Sequence, residues 1–226
     1  VSMAAAVRAG RPVALHEMDR FVDGAAVRRV GAGPLRMVQA IGPELVAVDE
    51  GAVCTAMLDL YQNDGIIAEP AGAMATTVLA DLDITPGSTL VAVVSGGNND
   101  VSRYAEIVER ALIHEGRKHY FLVTFPQEPG ALRRFLDEVL GPDDDIARFE
   151  YLKKSARNFG SVLIGIETSA PDNLTALSDR LARAGFDWRD ITGDHAAAVL
   201  GDDPADADVE DRCSGLDHVL GDDAGH

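Results

Sequence analysis

Lys118-His119-Tyr120-Phe121-Leu122-Val123-Thr124-Phe125 is dense in aromatic and β-branched residues, and it is followed at once by a break, Glu128-Pro129-Gly130-Ala131-Leu132. Such a run predicts a strand, and the Pro-Gly pair predicts a turn into a helix. Gly130 to Leu140 reads as that helix, with Leu132, Phe135, Leu136 and Val139 inward. Asp145 to Lys154 and Phe159 to Thr168 then read as two further strands. Asp172 to Ala184 is a second helix, with Leu174, Leu177 and Leu181 on one face; Gly185 stops it, and Phe186 to Ile191 closes the series as a strand. The order βαββαβ makes a four-stranded antiparallel sheet with two helices on one face, leaving the other face or an edge for a partner.

Upstream, the pattern changes to alternating helix and strand. Val1 to Ala9 and Gly51 to Asn63 read as helices, the second with Val53, Ala56, Met57 and Leu60 at helical spacing. Glu69-Pro70-Ala71-Gly72-Ala73 turns into another helix, Ala71 to Ala80, and Pro86-Gly87 is a turn. Leu90 to Val94 is a short unbroken apolar run of the kind found in strands buried on both faces, opening into Ser95-Gly96-Gly97-Asn98, with a helix over Asp100 to His114. These elements form part of a covered α/β layer with too few strands to close it. Boundaries follow at residues 1–116 for this layer and 117–192 for the βαββαβ domain, with an acidic segment at 193–226.

The formal charge of −17 argues against nucleic acid and anionic membrane surfaces as partners. Between Thr192 and His226 ten acids face the single base Arg212, over half of that net charge, so this segment reads as a solvated, disordered tail. Its acids do not fall at the spacing of a calcium loop. No apolar run approaches the roughly 20 residues that span a bilayer, and Val1 to Arg11 lacks the order of a signal peptide, so a cytoplasmic protein is expected. Cys54 and Cys213 have no companions at metal-ligand spacing and read as reduced thiols. The six histidines show no pairing with a nucleophile and read as surface groups.

Taken in order, Asp23-Gly24-Ala25-Ala26-Val27, Ala68-Glu69-Pro70-Ala71-Gly72-Ala73, Ser95-Gly96-Gly97-Asn98 and Glu128-Pro129-Gly130-Ala131-Leu132 resemble the C-terminal part of biosynthetic threonine deaminases. The resemblance covers roughly residues 1 to 192. It implies a partial layer like that of tryptophan synthase β and its pyridoxal phosphate-dependent relatives, followed by an α+β, ferredoxin-like domain of the ACT-like kind. By position it makes Ser95 the residue facing the cofactor's pyridine nitrogen. A serine hydroxyl donates only a neutral hydrogen bond, which suits α,β-elimination, where the leaving hydroxyl takes the electrons promptly. Gly96 lets backbone approach the ring, and Gly24 lies along the cofactor's 3′-hydroxyl side, although it could equally be a plain loop glycine. Glu69 has two readings: it orients substrate or a protonation network, or it caps the following helix.

Gly130 at a strand-to-helix turn exposes backbone N–H groups that can receive an amino-acid carboxylate, with Pro129, Ala131 and Leu132 around it; the plainer reading is a helix start. By resemblance the effectors are isoleucine and valine, and the substrate is L-threonine. With space for one such domain, a ligand is expected between domains of two subunits, hence a homo-oligomer. The departure from the family lies in the lysines. Threonine deaminases hold the cofactor covalently on a lysine, whereas Lys118, Lys153 and Lys154 are the three lysines here, and none precedes residue 118. The expectation is therefore a C-terminal portion of a longer enzyme, inactive alone. A stand-alone amino-acid-binding or oligomerisation module is the alternative.

Overall fold

The computed structural model describes residues 1–126, 128–151 and 159–193. The acidic segment from residue 194, Cys213, Lys153 and Lys154 lie outside the described residues. The chain divides into two compact units between Ala111 and Leu112.

The first unit is built from α1 (Ser2–Ala9), α2 (Ala32–Ile41), α3 (Glu50–Asp64), α4 (Pro70–Thr77) and α5 (Tyr104–His114), the last of which runs on past the unit boundary. Asp49 caps α3, its carboxylate accepting from the Ala52 N–H at 3.2 Å, and Gly65 ends that helix in the left-handed region (φ 67°) that side-chain-bearing residues avoid. Between its ends, Val53, Cys54 and Met57 pack with Phe21, Ala68, Ala73, Ile107 and Ala111 into the main core of this unit. Burial pushes the Cys54 thiol up to about 12, so it stays protonated and serves as a small apolar residue. Helix α2 was not singled out by the sequence pattern. Its Pro34 falls in the first helical turn, where a missing N–H costs no hydrogen bond.

The strand expected over Leu90 to Val94 is absent: the segment has no regular secondary structure, pairs in no ladder, and leaves Leu90, Val91 and Val93 exposed. A strand is made by its neighbours. Only Val94 reaches the core, and the first unit contains no strand ladder, merely an isolated bridge between Ala14 and Arg29.

The second unit has the expected βαββαβ order in β1 (Lys118–Pro126), α6 (Ala131–Glu138), β2 (Asp145–Tyr151), β3 (Phe159–Glu167), α7 (Asn173–Arg183) and β4 (Asp187–Asp190). All pairings are antiparallel and the sheet order is β2-β3-β1-β4, the ferredoxin-like arrangement. Because successive side chains of a strand point to opposite faces, Phe121, Val123 and Phe125 face one side. There they pack with Phe135 of α6, with Val139 just after that helix, and with Leu177 and Leu181 of α7. Tyr120, Leu163 and Ile191 form a smaller cluster, with Ile113 against it.

Two expectations are corrected. Ala131, Phe135 and Val139 make the buried face of this stretch, while Leu132 and Leu136 are about 40% exposed, because a strict i, i+4 stripe sets the inward direction. His119 is buried rather than on the surface; its Nε2 lies 2.8 Å from the Gly116 carbonyl oxygen.

Candidate functional site

Three of the expected site residues converge at the start of α4. Glu69 occupies the N-cap position, but its carboxylate makes no capping hydrogen bond. Its backbone N–H donates to the Gly96 carbonyl oxygen at 3.0 Å, and its side chain lies against the Gly96 α-carbon: a Cβ there would sit 2.5 Å from Oε1. Gly24, in a 3₁₀ turn over Asp23–Ala25, approaches the same helix, where a Cβ would come within 3.0 Å of the Ala71 Cβ. Gly72 and Gly97 also allow close backbone approach, a Cβ on either meeting a carbonyl oxygen (of Gly96 and of Ile67) at 2.5 Å. Ser95, directly before Gly96, is exposed.

Pro129, Gly130, Ala131 and Leu132 lie in the other unit. Gly130 caps α6 with φ 94°, a conformation that favours glycine, and Pro129 is exposed beside it. Ala131 is buried in the domain core, so of the two apolar residues expected to face a ligand, Leu132 is the accessible one.

The sequence pattern did not mark the polar shell around Gly24. Phe21 is buried, with the guanidinium carbons of Arg110 and Arg103 at 4.2 and 5.0 Å from its ring centroid. Arg103 Nη2 also donates to the Phe21 carbonyl at 2.7 Å. Arg110 pairs with Glu50 at 2.9 Å and Glu106 at 3.0 Å. Burial, reinforced by a hydrogen bond to Asp19 and by its charge, pushes the Glu50 carboxyl up to about 7 against the pull of Arg110. The seven-residue spacing of Arg103, in the 3₁₀ turn just before α5, and Arg110 on α5 is the signal that could have revealed this cluster. Asn99 was also missed: both polar atoms of its side chain are buried without a hydrogen-bond partner.

Comparison with known proteins accounts for the two units in order. Residues 1–96 match the pyridoxal-phosphate dependent enzyme family, and residues 109–200 match the C-terminal regulatory domain of threonine dehydratase. In these two matches the chain is similar to a threonine dehydratase. The biosynthetic L-threonine dehydratase IlvA of Mycobacterium tuberculosis is 60% identical over 182 residues, covering 80% of this chain and 42% of that protein. Its counterpart in Corynebacterium glutamicum is 53% identical over 190 residues, covering 83% and 44%. This chain thus spans less than half the length of these threonine dehydratases. Among solved structures, the processed form of threonine deaminase isoform 2 from Solanum lycopersicum matches at 30% identity over 49% of this chain and 33% of its own, with a TM-score of 0.46.

The residues present suit one side of a pyridoxal phosphate site. An exposed hydroxyl at Ser95 is followed by glycine backbone against which the Glu69 carboxylate lies, and the Asn99 amide is left without a partner. A covalent anchor is not among them, since no lysine precedes Lys118.

Proposed function

We propose that this chain is the C-terminal part of a biosynthetic threonine dehydratase. In this reading Ser95, Gly96 and Gly24 complete a cofactor site whose lysine lies elsewhere in the full-length protein, and residues 118–191 sense a branched-chain amino acid. The observation that carries it is the convergence of Gly24, Glu69 and Gly96 at the N-terminus of α4, beside an exposed Ser95. Pyridoxal phosphate, when bound, supplies the electron-withdrawing ring that allows L-threonine to lose its α-proton and β-hydroxyl, leading to 2-oxobutanoate and ammonia.

The chain's own groups have definite parts in this reading. The Ser95 hydroxyl donates a neutral hydrogen bond to the ring nitrogen, leaving that nitrogen unprotonated. Gly96 and Gly24 keep side chains out of the space the ring needs. Glu69, whose carboxylate faces this segment instead of capping its helix, orients substrate or holds a proton at its Oε atoms. Gly130 and Leu132 receive the carboxylate and aliphatic side chain of isoleucine or valine, in a cytoplasmic homo-oligomer.

The test is an assay of 2-oxobutanoate from L-threonine. The full-length protein carrying this chain is expected to be active, to lose most activity as Ser95→Asp, and to be inhibited by isoleucine. The chain alone is expected to be inactive with added pyridoxal phosphate. Product formed by the purified chain alone, or a Ser95→Asp enzyme with unchanged kcat, overturns the reading.

A further inference from the structure

We infer that Arg110, together with Arg103, is a positioning residue that holds the Gly24 segment against α4 by gripping the Phe21 ring. This rests on the proposal that Gly24 borders the cofactor. Phe21 is three residues from Gly24, and the segment is fixed to Arg110 of α5 and to Arg103, just before that helix, by its ring, lying within 5.0 Å of both guanidinium carbons, and by its carbonyl, which accepts from Arg103 at 2.7 Å. Arg103 also lies 3.9 Å from Asp23, the residue before Gly24. Two cations on one buried ring repel each other unless neutralised, and Glu50 and Glu106 answer Arg110 while Asp23 and Glu106 answer Arg103.

What separates positioning from ordinary packing is the space behind the segment. Val22, Ala25, Ala26 and Val27 border a cavity of about 350 Å³, shared with Val48 and Met74. The packing around these residues is therefore incomplete, and the segment has room to shift. The grip of Arg110 and Arg103 on Phe21 is what opposes such a shift, and a planar guanidinium supplies a stacking face that a lysine ammonium lacks.

The test uses the full-length protein and equilibrium dialysis of pyridoxal phosphate, with thermal unfolding of each variant run alongside. Arg110→Lys keeps the charge facing Glu50 and Glu106 and is expected to weaken cofactor binding about 3- to 10-fold, the scale of a desolvated cation–π contact. Phe21→Leu should match it, and the double variant should be no worse than either single one, because both remove the same contact. Phe21→Tyr keeps the ring and should stay within about 2-fold of the wild type. If Phe21→Leu fails to fold, Arg110→Lys against Phe21→Tyr still decides the matter. Wild-type protein that binds cofactor while Arg110→Lys binds it equally well overturns the inference alone, as do additive losses in the double variant. Wild-type protein that binds no pyridoxal phosphate overturns the proposed function as well.

Discussion

At the scale of single residues, the glycines of the first unit distinguish what a position does for the fold from what it does for the site. A methyl group at Gly72 would meet the Gly96 carbonyl oxygen at 2.5 Å, a backbone atom that cannot yield without moving the segment. A methyl at Gly96 meets instead the Glu69 carboxylate, the free end of a side chain. Gly72→Ala is therefore expected to destabilise by about 1–3 kcal/mol despite the better helix propensity of alanine. Gly96→Ala should unfold near the wild type in urea while losing more activity than Gly72→Ala; the reverse ranking sinks the assignment of Glu69 to the site. Glu50 supplies a second residue-scale prediction. Its carboxyl titrates near 7 in the folded chain against an ordinary 4.5, so the fold binds the extra proton between these values. The stability from that group is present below about pH 4.5 and is lost as pH rises through 7. Glu50→Gln removes this dependence, so the melting temperature of the variant minus that of the wild type should climb from pH 5 to pH 8. A flat or falling difference contradicts it. Neither effect could be read from composition, since both depend on which distant residue faces the group.

At the scale of elements, the α6–β2 connection is tied to α7 by one arginine. Arg180 Nη2 lies 2.5 Å from the Asp144 carboxylate, which also accepts from the Gly141 N–H, and Arg180 Nε donates to the Val139 carbonyl. Asp144 is nearly fully buried, so Arg180→Met strands a charge there and is expected to cost about 2–3 kcal/mol in urea unfolding. The double variant with Asp144→Asn should be more stable than Arg180→Met alone; equal or lower stability places the cost elsewhere. The ferredoxin-like domain was legible because each of its elements carries its own pattern and finds its partners within about 75 residues. Phe121, Val123 and Phe125 alternate, Leu177 and Leu181 repeat, and turns fall at Gly130 and Gly185. Leu90 to Val94 was misread for the complementary reason: an apolar run declares a demand for burial, not the presence of neighbours that would satisfy it. The candidate site was half legible. Gly24, Glu69, Ser95 and Gly96 sit in ordered motifs, whereas Phe21, Arg103 and Arg110 act through a contact about 80 residues apart in sequence that no local pattern encodes.

At the scale of the whole molecule, the two units differ in how completely each buries its own apolar surface. The second carries Phe121, Phe125, Phe135, Ile164, Ile166, Leu177 and Leu181 at full burial within a closed two-layer core. In the first, Leu45, Val46, Ile66, Ile67, Leu90, Val91 and Val93 are exposed along irregular segments without ladder partners. Exposed apolar residues scattered singly are ordinary, but consecutive ones on unpaired backbone mark a surface that another polypeptide segment covers. The proposal that the full-length enzyme supplies strands to this layer follows from that contrast, and it can be tested without an activity assay. Residues 112–193 produced alone should unfold cooperatively in urea and bind little of a hydrophobic dye. Residues 1–111 produced alone should bind the dye strongly and associate as concentration rises, because their exposed apolar residues can pack against those of another copy. In the full-length protein the dye binding attributable to residues 1–111 should vanish. Equal dye binding by the two separate parts, or dye binding that persists in the full-length protein, would mean that the exposed run from Leu90 to Val93 is not a surface awaiting strands, and the placement of Ser95 at the end of such a segment would lose its structural basis.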